Sequence, residues 1–134
     1  PGRGCEPFVS DQLRTSRPFL GKGDFLPGTW GHALVEELGP ADLSVEKVAT
    51  SAFAMSRLDW VLRHAGIEQL YVAGVATHAS VATTVRDAVK RDFSVAVLED
   101  GCAAFDAEAH RTAIEELRTV ATVTTVREAM QALR

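Results

Sequence analysis

Strand-like and helix-like segments alternate along this chain from residue 43 onward, and this alternation limits the possible folds more than any other feature. The strand candidates are Leu43–Val48, Leu70–Val75, Phe93–Leu98 and Val120–Val126. Leu70–Val75 is a continuous apolar run, which is typical of a strand buried on both faces of a parallel sheet. The sequence therefore predicts an α/β fold of three layers, Rossmann-like in architecture, with a parallel sheet and helices on both faces.

Helix signals lie between and around these strands. A short helix is predicted over Trp30–Leu38, ending at Gly39-Pro40. Ser56-Arg57-Leu58-Asp59 matches a capping box at the start of a second helix, and Ser80–Lys90 has the apolar spacing of a third. Asp106 is the expected N-cap of a helix to about Arg118, and Thr125 with Glu128 forms a second capping box for a C-terminal helix.

The length and composition suit one soluble domain over residues 1–134. The chain has 134 residues, 46% of them hydrophobic and 24% charged. Residues 1–29 are expected to be irregular, because four of the five prolines and most of the glycines lie in the first 31 residues without periodicity. A loop of this length inside a compact domain is unusual, and we take it as a sign that sequence is missing.

The charge and cysteine content exclude several classes of protein. A net charge of −4 provides no basic surface for nucleic acid or anionic lipid, and no apolar run has the length of a membrane-spanning helix. No signal peptide is visible. Two cysteines, Cys5 and Cys102, do not form a disulfide framework and fit a reducing cytoplasm, although one bridge stays possible.

Ligands of such sheets bind beyond the carboxyl ends of the strands, where Lys47, the segment Val75–Ser80 and Asp100 lie. Nucleotide-binding glycine motifs do not follow any strand, and the four histidines lack metal-site spacing. The Ser80 hydroxyl is placed at a helix N-terminus, where backbone N–H groups stabilise negative charge. Capping of the helix by Ser80 and a solvated strand end at Lys47 are the alternative interpretations.

Four segments in the correct order resemble the isochorismatase-like hydrolases, often called cysteine hydrolases. They are LPGTWGHALVEEL, VEKVATSAF, LYVAGVATHASVATTVRDAV and VAVLEDGCAAFDAEAH, and the resemblance runs from about Phe25 to the C-terminus. GVAT and PGTWG look more like the amidohydrolase branch of the family than like its true isochorismatases.

The resemblance implies a catalytic set of Asp, Lys and Cys. The lysine matches Lys47, and the cysteine position holds Ser80. The aspartate of the family's first strand has no convincing match, since Asp11 lacks a preceding apolar strand. We therefore expect the first two strands and the helix between them to lie outside this chain.

Further site residues follow from the same resemblance. The backbone N–H groups of Ala76 and Ser80 are expected to form an oxyanion hole, with a cis peptide bond between Val75 and Ala76. Trp30, Phe53 and His78 are candidates for the wall of the substrate pocket, with core packing as the alternative for the two aromatic residues. No cofactor is expected, the partner is a small-molecule substrate, and the family implies a homodimer or higher homo-oligomer.

Three functions remain open at this point. The first is hydrolysis of a small amide or carbamoyl compound through a nucleophile at position 80 with Lys47. The second is a catalytically impaired pseudoenzyme, which the loss of the Asp and Cys identities favours. The third is hydrolysis of a vinyl ether of the isochorismate type without a nucleophile, in which His78 matches a histidine of true isochorismatases.

Overall fold

The computed structural model describes Thr15 and residues 28–134 and divides the chain into two compact units, Pro1–Ser44 and Val45–Arg134. Most of the irregular segment expected over residues 1–29 lies outside the described residues, as do Asp11 and Cys5. The single domain over residues 1–134 stays a prediction.

The predicted helix over Trp30–Leu38 is wrong. This part of the first unit contains two short 3₁₀ turns, Trp30–His32 and Glu36–Leu38, separated by extended backbone at Ala33. Its large apolar side chains stay exposed, Trp30 to 95% and Leu38 to 69%. A helix this short is marginal in water unless packing of an apolar face stabilises it, and burial of that kind is not seen here.

The second unit is built on three parallel strands. They are β1 (Gln69–Val75), β2 (Ser94–Ala103) and β3 (Thr122–Thr124), in the order β1-β2-β3. Gln69 pairs with Ser94, and Ala96 pairs with Thr122. The parallel α/β sheet predicted from the alternation is confirmed for these three strands. The register between β1 and β2 shifts after Val72, so that Gly74 lies opposite Cys102.

Four α-helices accompany the sheet among the described residues: α1 (Leu58–His64), α2 (Ala82–Lys90), α3 (Ala107–Leu117) and α4 (Val126–Ala132). The Asp106 carboxylate accepts hydrogen bonds from the N–H groups of Glu108 and Ala109, and Thr125 with Glu128 forms the predicted capping box. The start of α1 differs from the predicted capping box. The Ser56 hydroxyl accepts from Leu58 N–H, while Asp59 pairs with Arg63.

The predicted strand over Leu43–Val48 is also absent from the structure. These residues form neither a helix nor a strand, and Leu43 and Val48 are 61% and 49% exposed. A strand is stabilised by hydrogen bonds to a neighbour and by burial of a face, and this segment has no strand partner among the described residues. Its apolar pattern alone does not establish a strand.

The hydrophobic core of the second unit joins the sheet to α2 and α3. Val85, Val97 and Leu117 are fully buried within it. Side chains of neighbouring strand residues point to opposite faces, so Ala96 faces away from Val97. On the face that carries Ala96, α4 and the sheet line a small cavity of about 180 Å³. Helices therefore cover both faces of the sheet. Among the described residues, no helix is both long enough and apolar enough to cross a membrane.

Candidate active site

The connection from β1 to α2 carries the predicted nucleophile position. β1 ends at Val75, the Val75–Ala76 peptide bond is cis, and a π-helical turn covers Thr77–Val81 before α2 begins. The cis bond is the geometry that the family resemblance implies here. Ser80 is half-buried and lies within the π-helical turn, two residues before α2, whereas the periodicity predicts an α-helix from Ser80 onward.

The hydrogen bonds of this turn differ from those of an α-helix. The Ala76 carbonyl accepts from Ala79 N–H at 3.1 Å and from Val81 N–H at 3.2 Å. In an α-helix the Ser80 N–H would donate to this carbonyl. In the π-helical turn the Val81 N–H donates to this carbonyl instead, and the Ser80 N–H does not. Convergence of the Ala76 and Ser80 N–H groups on one point stays a prediction.

Thr77 anchors the beginning of the π-helical turn, a role that sequence reasoning missed. Its side chain is fully buried, and its Oγ1 lies 2.8 Å from Nδ1 of His110 in the first turn of α3. A buried hydroxyl usually has a hydrogen-bond partner, because leaving it unsatisfied costs about 1–3 kcal/mol. The partner is 33 positions away in the sequence, so no local pattern around Thr77 indicates this contact.

The segment that follows Lys47 is attached to α2. Lys47 itself is exposed, while Ser51 is buried and its Oγ accepts from Phe53 N–H. The N–H of Ala52 donates to Thr84 Oγ1 of α2 at 3.0 Å. This bond joins the Lys47 segment to the helix that follows Ser80. A direct contact between Lys47 and Ser80 stays a prediction.

The three candidates for the pocket wall lie in different environments. Phe53 is 5% exposed in the core, with its ring centroid 5.9 Å from that of Phe93, a position that fits the packing interpretation. His78 is exposed on the π-helical turn. Trp30 is exposed and belongs to the first unit.

Two residues near the carboxyl ends of the strands have structural partners. Asp100 accepts a hydrogen bond from Val126 N–H at 2.8 Å and so contributes to the N-terminus of α4. Cys102 is buried opposite Gly74, and burial raises the pKa of its thiol, although a hydrogen bond with the Gly74 backbone acts against this. Across the described part of the chain, no three His, Cys, Asp or Glu residues cluster as metal ligands would.

Comparison with known proteins identifies the family. The model of the isochorismatase domain matches residues 7–128. The ureidoacrylate amidohydrolase RutB of Agrobacterium fabrum is 38% identical over 95 residues, which are 68% of this chain and 42% of that protein. The RutB protein of Acinetobacter baylyi is 34% identical over 124 residues, or 88% of this chain and 51% of that one. The chain thus spans about half the length of these curated relatives.

Solved structures agree with the sequence relatives. An isochorismatase-like hydrolase from Alkaliphilus metalliredigens superposes with a TM-score of 0.75 at 34% identity, covering 80% of this chain and 61% of that chain. The nicotinamidase PncA of Bacillus subtilis superposes with a TM-score of 0.67 at 28% identity, covering 74% and 60%. The family model, these relatives and the parallel sheet agree, and the chain belongs to the isochorismatase-like hydrolase family.

Proposed function

We propose that this protein hydrolyses the carbon–nitrogen bond of a small carbamoyl, ureido or carboxamide compound, with residue 80 as the nucleophile. The observation that carries the proposal is the position of Ser80 on the π-helical turn at the carboxyl end of β1, where open α/β sheets bind ligands. Relatives named amidohydrolase and nicotinamidase support the choice of bond. A small-molecule substrate, a cytoplasmic location and a homo-oligomeric state are parts of the same proposal.

The proposed reaction has two stages. The Ser80 oxygen attacks the carbonyl carbon while its proton passes to a base, and the resulting oxyanion accepts hydrogen bonds from Ala76 and Ser80 N–H. Collapse of this intermediate breaks the carbon–nitrogen bond, and the amine leaves with a proton. Water then hydrolyses the ester at Ser80 and regenerates the hydroxyl. Each preorganised N–H donor is typically worth about 3 kcal/mol in such a reaction.

The serine makes the base more important than in a cysteine enzyme. A thiol ionises near pH 8.5 and is readily activated, whereas a hydroxyl needs a general base positioned beside it. In the proposal Lys47 stabilises charge or shuttles the proton, and the base is the first-strand aspartate implied by the family resemblance. None of the described aspartates is assigned to that position.

A second candidate function is favoured by the same residue. A serine where the family has a cysteine also suits a catalytically impaired relative that retains the fold. The two candidates differ in their response to substitution, because restoring a thiol gives an impaired relative its nucleophile back. Vinyl-ether hydrolysis is the third possibility, and it requires no group at residue 80.

The test uses protein that includes the first-strand aspartate required by the mechanism. Ammonia release is measured with a panel of ureido, carbamoyl and nicotinamide-type compounds, and formation of the carbonyl product is measured separately with a vinyl ether. We expect activity that Ser80→Ala abolishes and Ser80→Cys increases, with Ser94→Ala as an exposed-serine control that changes nothing. An inactive chain that Ser80→Cys makes active would favour the impaired relative. Amide hydrolysis that survives Ser80→Ala would refute the proposed nucleophile.

A further inference from the structure

The π-helical turn that carries Ser80 is held by side chains at both of its ends. At the far end, Thr83 Oγ1 donates to the Ala79 carbonyl at 2.8 Å, and Thr84 accepts from Ala52. At the near end, Thr77 Oγ1 lies 2.8 Å from Nδ1 of His110. Residue 80 lies between these two attachments.

His110 is itself well fixed. It lies in the first turn of α3, which begins at Ala107, and its N–H donates to the Asp106 carbonyl at 3.1 Å. Asp106 also caps that helix with its side chain, which stabilises the first turn of α3. The His110 ring is only half-buried, whereas the Thr77 side chain is completely buried. The hydrogen bond therefore transmits the position of α3 to the buried start of the turn.

We propose that His110 is a positioning residue for the nucleophile turn: through Thr77 it sets where the backbone at residue 80 lies relative to the end of β1. This inference rests on the proposed function. A displaced nucleophile loses the attack geometry while the substrate still binds, and misplacement by about 1 Å costs on the order of 100-fold in rate. Loss of the pair should therefore lower kcat by about 10- to 100-fold and leave KM nearly unchanged.

The atoms in contact provide matched substitutions. His110→Asn keeps a polar atom near the Nδ1 position, whereas His110→Gln moves it outward and His110→Ala removes it. Thr77→Ser keeps the hydroxyl, and Thr77→Val keeps the shape without the hydroxyl. We expect His110→Asn and Thr77→Ser to retain most of kcat, and the other variants to lose it. The double variant Thr77→Val/His110→Ala should lose no more than the worse single variant, because both changes remove one interaction.

A second readout separates positioning from activity and from general stability. Hydrogen exchange of the Ala79 and Val81 amides, which both donate to the Ala76 carbonyl, should accelerate at least 10-fold in Thr77→Val and His110→Ala when measured by NMR on the full chain. Exchange of the core amides of Val85 and Val97 should change less. Thr77→Val is the variant at greater risk of unfolding, and the half-exposed His110 makes His110→Ala the decisive one.

Each outcome is decisive for the positioning role. Faster exchange confined to the turn supports it, even if the chain hydrolyses none of the amides and the proposed function fails. A wild-type rate of exchange at Val81 in folded His110→Ala would overturn it, as would an unchanged kcat in an active chain. Uniform acceleration of all amides would show that the pair contributes only to global stability, which also overturns it.

Discussion

Replacing Thr84 by valine removes the acceptor that holds the segment after Lys47 against α2. The bond from Ala52 N–H to Thr84 Oγ1 is 3.0 Å long and half-buried. An unsatisfied buried N–H costs about 1–3 kcal/mol, and the extra apolar group of valine returns at most about 0.8 kcal/mol. Thr and Val have similar helix propensities, so that contribution cancels. We expect a net loss of about 1 kcal/mol in the free energy of unfolding.

Urea denaturation followed by circular dichroism measures this loss. With a slope of about 2 kcal/mol/M, the midpoint should fall by about 0.5 M. Thr84→Ser keeps the hydroxyl and should restore Ala52 protection against hydrogen exchange, whereas Thr84→Val should lose it. If Thr84→Val unfolds at the wild-type midpoint and the Ala52 amide stays protected, the bond does not hold this segment and the reasoning fails.

Two further predictions concern the core of the second unit. Leu117→Ala should destabilise the fold by about 2–5 kcal/mol because Leu117 is fully buried, whereas Leu133→Ala, at a residue 66% exposed, should cost under about 0.5 kcal/mol; equal urea midpoints would contradict the core assignment. The raised pKa of the Cys102 thiol means that the folded chain holds this proton more tightly than the unfolded chain. The protonated Cys102 thiol contributes fully to the free energy of unfolding below the usual thiol pKa of about 8.5. This contribution is lost as the pH rises through the raised pKa of the folded chain. Urea midpoints from pH 7 to 10 should thus fall less steeply in Cys102→Ala, and identical slopes would exclude the effect.

The sequence predicted those elements that carry local signals. Asp106 and Thr125 start their helices as predicted, because an N-cap acts within three residues and is visible in a short window. The continuous apolar run at Leu70–Val75 corresponds to a strand with a paired neighbour, and it became β1. Lys47 and Ser80 were assigned as site residues from the family resemblance, and their catalytic roles stay predictions.

The wrong predictions, and the features that the sequence did not predict, depend on residues that are distant in the sequence. Leu43–Val48 has a strand-like pattern but pairs with nothing among the described residues, and Trp30–Leu38 buries no apolar face. The contact of Thr77 with His110 joins residues 33 positions apart, and no local pattern encodes it. The π-helical turn is likewise defined by the hydrogen bond from Val81 N–H to the Ala76 carbonyl. The spacing of apolar residues does not show this bond.

The order of the strands has a consequence for assembly during synthesis. β1, β2 and β3 lie side by side in the order in which they are made, with α2 and then α3 between them. Each pairing joins neighbours in the chain order, because Gln69 pairs with Ser94 and Ala96 pairs with Thr122, and closing such a loop costs less entropy than joining segments from opposite ends of the chain. A chain emerging from the ribosome can thus extend this part of the sheet one strand at a time, with the π-helical turn enclosed as soon as β2 and α3 have joined β1.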